Sequence, residues 1–145
     1  MKIKKQQFAF TLIEIMVVIL IIGILAVLII GGMQNDRQTA RDVQRLNDMR
    51  DAQSALTSYY LDTGSYPASS TITAGQPWIF NGKTYLTKWP TDPQPGDGSC
   101  GSTGYVYSQD SGGTSYHITY CLAQGTDSIT PGNCSLTPQG GICGR

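Results

Sequence analysis

The sequence predicts an α+β protein. A long N-terminal helix, apolar in its first half and amphipathic in its second, packs on a small antiparallel β-sheet head stabilised by disulfides. Three observations carry this. An uninterrupted apolar run fills Ile15–Met33; a three- and four-residue periodicity follows it; past Gly64 short alternating segments are separated by turn formers and four cysteines.

Ten Lys plus Arg balance ten Asp plus Glu across 145 residues, and the chain is 40% hydrophobic. The length suits one domain. Neutrality argues against a nucleic-acid binder, which normally carries a basic excess. The averages conceal an uneven distribution. Ile15–Met33 holds 16 apolar residues in 19, whereas Gln34–Arg145 is only about 31% apolar. Such a sparse C-terminal part needs cross-links to hold a core. Nine of the ten acids are Asp; the only Glu, Glu14, opens the apolar run.

As a helix, Ile15–Met33 rises about 28 Å, matching a bilayer core of roughly 30 Å. It is too long for the apolar region of a cleaved secretory signal, and helix-forming sequence continues directly beyond it. Lys2, Lys4 and Lys5 precede it without an acid among them, so Met1–Ala9 is expected in the cytoplasm and the remainder on the exported side. A carboxylate at the edge of a membrane helix is costly, so Glu14 is either a solvated N-terminal acid favoured by the helix dipole or a functional group.

The string Lys4-Lys5-Gln6-Gln7-Phe8-Ala9, then Phe10-Thr11-Leu12-Ile13-Glu14, then a long apolar helix, resembles the class III signal of type IV pilins and pseudopilins. The resemblance implies that a prepilin peptidase cuts between Ala9 and Phe10, where the family usually has Gly before the cut, and that the new Phe10 amine is N-methylated. It implies four segments: a leader over 1–9, a transmembrane and filament-core helix over 10–33, an amphipathic helix over 34–63, and a β-rich head over 64–145. Loss of three lysines leaves seven basic and ten acidic side chains, net −3. By the same resemblance Glu14 pairs with the Phe10 amine of a neighbouring subunit and sets the register of a helical filament. Breaking a buried pair costs far more than keeping it. An open head-to-tail interface propagates into a fibre. Gly23, Gly31 and Gly32 suit close helix packing, and Gly31-Gly32 is a candidate point of local melting.

Ala40, Val43, Leu46, Met49, Gln53, Leu56 and Tyr60 form the expected apolar stripe of the second helix, which Gly64 caps. Arg37, Arg41 and Arg45 form an i, i+4, i+8 column. It reads as a solvated face with local Asp partners, or as a contact to lipid headgroups or a neighbouring subunit. Trp78–Phe80, Asn81-Gly82 and Lys83–Leu86 spell a two-residue hairpin. Tyr105–Tyr107 and Tyr116–Cys121 spell a second around Asp110–Gly113. Gln94–Gly104 and the tail after Ala123 read as loops.

Four cysteines permit three pairings. A hairpin centred near Ser111–Gly112 sets residue 100 opposite residues 121–123, which favours Cys100–Cys121. Cys134–Cys143 then closes a C-terminal loop like that of many pilins. A zinc site is disfavoured, since no CxxC spacing occurs and His117 is a strand residue. No nucleophile–base pair or phosphate loop is recognisable, so no enzymatic activity or cofactor is expected. Loop aspartates, chiefly Asp92 and Asp97 with Asp110 and Asp127, are weak calcium candidates by analogy with some major pseudopilins; Asp is also a common turn former. Asn133-Cys134-Ser135 fits a glycosylation sequon. Ser65–Arg145 has three basic and four acidic residues, so charge-driven nucleic-acid binding has no support.

The expectation is therefore a non-enzymatic structural subunit, a major pilin of a type IV pilus. It is stored in the inner membrane, processed by the prepilin peptidase and polymerised by the pilus assembly machinery into an extracellular homopolymer. One rival is the major pseudopilin of a type II secretion system, a periplasmic fibre. Another is a minor pilin acting as an adhesion or DNA-uptake tip.

Overall fold

A computed structural model of the chain describes residues 10–30, 33–126 and 128–144. The leader with Lys2, Lys4, Lys5 and Ala9, the pair Gly31-Gly32, and Asp127 lie outside the described residues. The chain divides into two compact units, Met1–Gln34 and Asn35–Arg145.

The first unit carries helix α1 (Leu12–Ile30). Every side chain from Phe10 to Val27 is exposed, and they project on all sides. The stretch Leu12–Val27 covers about 24 Å of helix, and among the described residues no helix is long and apolar enough to cross a membrane.

Helix α2 (Met33–Thr63) enters the second unit and ends where the sequence predicts. Gly64 adopts φ 76° and donates its N–H to the Tyr60 carbonyl at 2.8 Å, the conformation a Cβ disfavours. The inner face of α2 differs from the expected stripe. Asp42, Arg45, Met49, Ala52, Leu56 and Tyr59 point inward, whereas Ala40 and Val43 are exposed and Tyr60 is 38% exposed. The periodicity rule places charged residues outward. Here Asp42 and Arg45 compensate each other and turn inward, so the buried face lies about one residue round the helix.

Two antiparallel sheets complete the head. Strands β1 (Trp78–Phe80) and β2 (Lys83–Leu86) form the expected hairpin, with Asn81 at φ 49° and Gly82 at φ 77° supplying the turn. Strands β3 (Val106–Gln109), β4 (Tyr116–Leu122), β5 (Gly132–Thr137) and β6 (Gly140–Cys143) form a four-stranded sheet in sequence order. The last two strands correct the expectation of loops after Ala123. Gly132, Asn133, Gly140 and Gly141 have weak strand propensity, but β4 supplies a paired edge, with Ile118 opposite Leu136 and Tyr120 opposite Cys134. Cys134 and Leu136 alternate into the core.

The core is largely aromatic. Tyr59 lies 5.0 Å from Trp78, Trp78 lies 5.8 Å from Trp89, and Trp89 lies 5.8 Å from Tyr107, ring centre to ring centre. Tyr107 donates its hydroxyl proton to the buried Pro67 carbonyl at 2.7 Å. These large rings, with Met49, Leu56, Ile118 and Leu136, let a head poor in aliphatic residues enclose a continuous core.

Candidate functional site

Two groups of polar residues stand out, one in each unit. The first heads α1. Thr11 is the helix N-cap: the Glu14 backbone N–H donates to Thr11 Oγ1 at 3.3 Å and to the Thr11 carbonyl at 3.1 Å. Thr11-Leu12-Ile13-Glu14 has the residue pattern of a capping box, in which the Glu side chain reaches back toward the cap. Among the described residues the Glu14 carboxylate accepts no hydrogen bond. Glu14 is exposed, and Phe10, four positions earlier, is 76% exposed. Gly23 opens an apolar notch along α1 lined by Met16, Leu20, Ile24 and Val27.

The second group sits at the N-terminal end of α2 within the head. Arg45 has no exposed side-chain surface. Its Nη1 donates to Asp42 Oδ1 at 2.8 Å, its Nη2 to Asp92 Oδ1 at 2.8 Å and to the Gln94 carbonyl at 2.9 Å. Its Nε reaches Asp92 at 3.2 Å, and Nη1 lies 3.5 Å from Asp97 Oδ2. Arg41 grips Asp97 bidentately, Nε to Oδ2 at 2.6 Å and Nη2 to Oδ1 at 2.9 Å, and Gln38 Nε2 donates to Asp97 Oδ1 at 3.2 Å. Asp42 accepts three consecutive backbone N–H groups, from Ala123, Gln124 and Gly125, at 2.9, 2.7 and 2.9 Å. Burial works against the Arg45 charge, but the hydrogen bonds it donates to Asp92 and Asp42, with their charge attraction, outweigh it and hold its pKa above the usual arginine value. The Arg41 hydrogen bond holds Asp97 below the usual carboxylate range.

Both loops tied by this network also meet at a disulfide. Cys100 is bonded to Cys121, with Cα atoms 5.7 Å apart, and the Cys100 N–H donates to the Asp97 carbonyl at 2.9 Å. Cys134 is bonded to Cys143, its register partner across the β5–β6 hairpin.

Comparison with known proteins places these features. Residues 4–30 match the model of the prokaryotic N-terminal methylation motif. Type II secretion system core protein G of Pseudomonas aeruginosa is 35% identical over 99 residues, covering 62% of this chain and 70% of that protein. The homonymous protein of Aeromonas hydrophila is 31% identical over 62% of this chain and 69% of its own length. That of Escherichia coli K12 is 32% identical over 67% of this chain and 73% of its own. The chain belongs to the type IV pilin and pseudopilin family. No solved structure matches it.

For a member of this family, the fate of the remaining candidates is informative. The Arg37–Arg41–Arg45 column is not one solvated face. Arg37 is exposed, Arg41 is partly covered and Arg45 is fully buried with partners far along the chain. Two of the four calcium candidates, Asp92 and Asp97, are occupied by other partners. A calcium ion takes six to eight oxygens at about 2.3–2.6 Å, but the Asp92 and Asp97 carboxylates are engaged by Arg45 and Arg41, and a guanidinium fills the space between them. Asp110 faces His117 Nδ1 at 3.1 Å. Asn133 of the sequon is exposed within the paired strand β5.

Sequence reasoning missed the Asp42 backbone cradle and the Thr11 cap. The Thr-x-x-Glu pattern was a readable signal for the cap. Nothing local announces that Asp42 meets residues more than eighty positions away.

Proposed function

We propose that this chain is a structural, non-enzymatic subunit of the major pseudopilin type. Cleavage after Ala9 releases Phe10, whose methylated amine pairs with Glu14 of a neighbouring copy, and α1 leaves the inner membrane to become filament core. The observation that carries this reading is α1 itself: an apolar helix exposed on all sides from Phe10 to Val27, headed by an exposed Glu14 whose carboxylate accepts no hydrogen bond among the described residues. Exposed apolar surface of that extent needs a lipid or protein environment. The names of the relatives favour a periplasmic fibre of a type II secretion system over an extracellular type IV pilus or a minor tip pilin.

The test is Glu14→Ala. The variant is expected to insert into the inner membrane at normal levels yet build no ordered fibres; normal fibres overturn the charge pairing. Mass spectrometry of the fibre subunit is expected to find a methylated Phe10 terminus, and a terminus at Met1 overturns the processing step. Deleting the gene is expected to stop export of folded proteins without removing surface filaments. Loss of surface filaments with export intact returns the reading to a pilus.

A further inference from the structure

Asp42, Asp92 and Asp97 come from one helix and one long loop, yet all three carboxylates converge on a single point. That point is the Arg45 guanidinium, at 2.8 Å from Asp42, 2.8 Å from Asp92 and 3.5 Å from Asp97. A fourth oxygen, the Gln94 carbonyl, joins at 2.9 Å. Four oxygens, one from a helix and three from a single loop, around one buried cationic centre is the arrangement by which a bound hard cation organises an irregular loop. Here the centre is covalently part of the chain.

We propose that Arg45 is the internal structural cation of the head, making the fold of the 92–101 and 123–125 loops independent of any divalent ion on the exported side. The geometry supports this beyond simple pairing. The planar fork addresses Asp42 and Asp92 through different nitrogens, so an ammonium in its place would keep the central charge and lose only part of these contacts. Arg41 saturates the remaining Asp97 lone pairs, and three backbone N–H groups saturate Asp42. The carboxylates retain no ring of free oxygens for a second cation. The network also lies close to the Cys100–Cys121 bridge, because Asp97 is three residues before Cys100, whose N–H donates to its carbonyl, and Ala123 is two residues after Cys121. The side chains of Cys100, Cys121 and Ala123 pack as one small buried cluster.

The experiment is thermal unfolding of the full chain in detergent, followed by circular dichroism. It reads the monomer, so its failure is separable from failure of filament assembly. The native protein is expected to shift by less than about 1 °C with either EDTA or millimolar calcium chloride. A fall with EDTA that calcium reverses overturns the proposal. Arg45→Ala leaves three carboxylates around a cavity, and its midpoint is expected to drop by on the order of 10 °C. It is also expected to become calcium-responsive, regaining part of the loss in millimolar calcium chloride. An Arg45→Ala protein as stable as the native one, or one indifferent to calcium, overturns the convergent-cation role. Should Arg45→Ala not fold, Arg45→Lys decides. A folded protein of intermediate midpoint supports the cation role, and a lysine variant that is equally unfolded refutes it.

Discussion

The carboxylate of Asp42 accepts a 2.9 Å hydrogen bond from the backbone N–H of Gly125, 83 positions along the chain. Neither group is exposed. The contact ties the start of α2 to the end of β4 and depends on both partners. Asp42→Ala removes one carboxylate partner of the buried Arg45 and strands three backbone N–H groups, and is expected to cost about 3–5 kcal/mol in chemical denaturation. Loss below about 1 kcal/mol would show that water satisfies the site.

Gly125 has φ 74°, and a Cβ there overlaps the Ile129 carbonyl oxygen and approaches the Pro131 nitrogen. At Gly64, φ is 76° but nothing lies within 4 Å of the added carbon. Gly64→Ala is expected to cost about 1 kcal/mol from backbone strain alone. Gly125→Ala is expected to cost at least about 3 kcal/mol, because rigid backbone must move. Equal costs, measured by urea titration of both variants, contradict the close packing of the β4–β5 connection.

Tyr116 is fully buried, and its hydroxyl has no hydrogen-bond partner among the described residues. A polar atom in that position costs roughly 1–3 kcal/mol of desolvation with no return. Tyr116→Phe keeps the ring contacts with Tyr66 and Tyr107, at 4.7 and 5.9 Å, and removes the cost. The variant is expected to unfold at or above the native midpoint; a clear drop places an ordered water on the hydroxyl.

Two carboxylates shape the acid side of the stability curve in opposite directions. Asp97 is held below the usual range, first by the Arg41 hydrogen bond, so its folded state binds the proton less readily than the unfolded chain. Its contribution is present above about pH 4 and lost as pH falls through its folded value. Asp48 is raised by burial, against the 2.9 Å hydrogen bond donated by Tyr105. Its contribution is present below about pH 4 and lost as pH rises through its folded value. Asp97→Asn is expected to flatten the acid limb, and Asp48→Asn to raise stability at pH 7 while steepening the fall toward acid. Unchanged pH profiles contradict both assignments.

The two disulfides close rings of different size, with sequence separations of 21 and 9. Loop-closure entropy assigns about 3.4 kcal/mol to the larger ring and about 2.7 to the smaller. The larger bridge also spans the loops that Arg41 and Arg45 hold. Replacing Cys100 and Cys121 by serine is therefore expected to lower the thermal midpoint more than replacing Cys134 and Cys143, and the reverse order contradicts the coupling.

Local chemistry accounts for what was legible in the chain. The apolar run, the Gly64 cap, the Asn81-Gly82 turn and the Phe10–Glu14 motif depend on neighbours a few residues apart, so their residues announce them. The strands β5 and β6 do not, because glycines and Asn133 form strands only when β4 offers an edge. Arg45 is the sharper case. By periodicity it belongs to water, and only the arrival of Asp92 and Asp97 from a distant loop makes its burial favourable. The relatives' names also shifted the functional reading, since the chemistry of α1 is the same for a pilus and a pseudopilus.

Because α1 presents aliphatic surface at every azimuth, only two features among its described residues distinguish one side from another: the carboxylate of Glu14 and the notch at Gly23. Apolar exchanges along it are therefore expected to be tolerated at most positions, and least at Gly23, where a side chain would fill the notch.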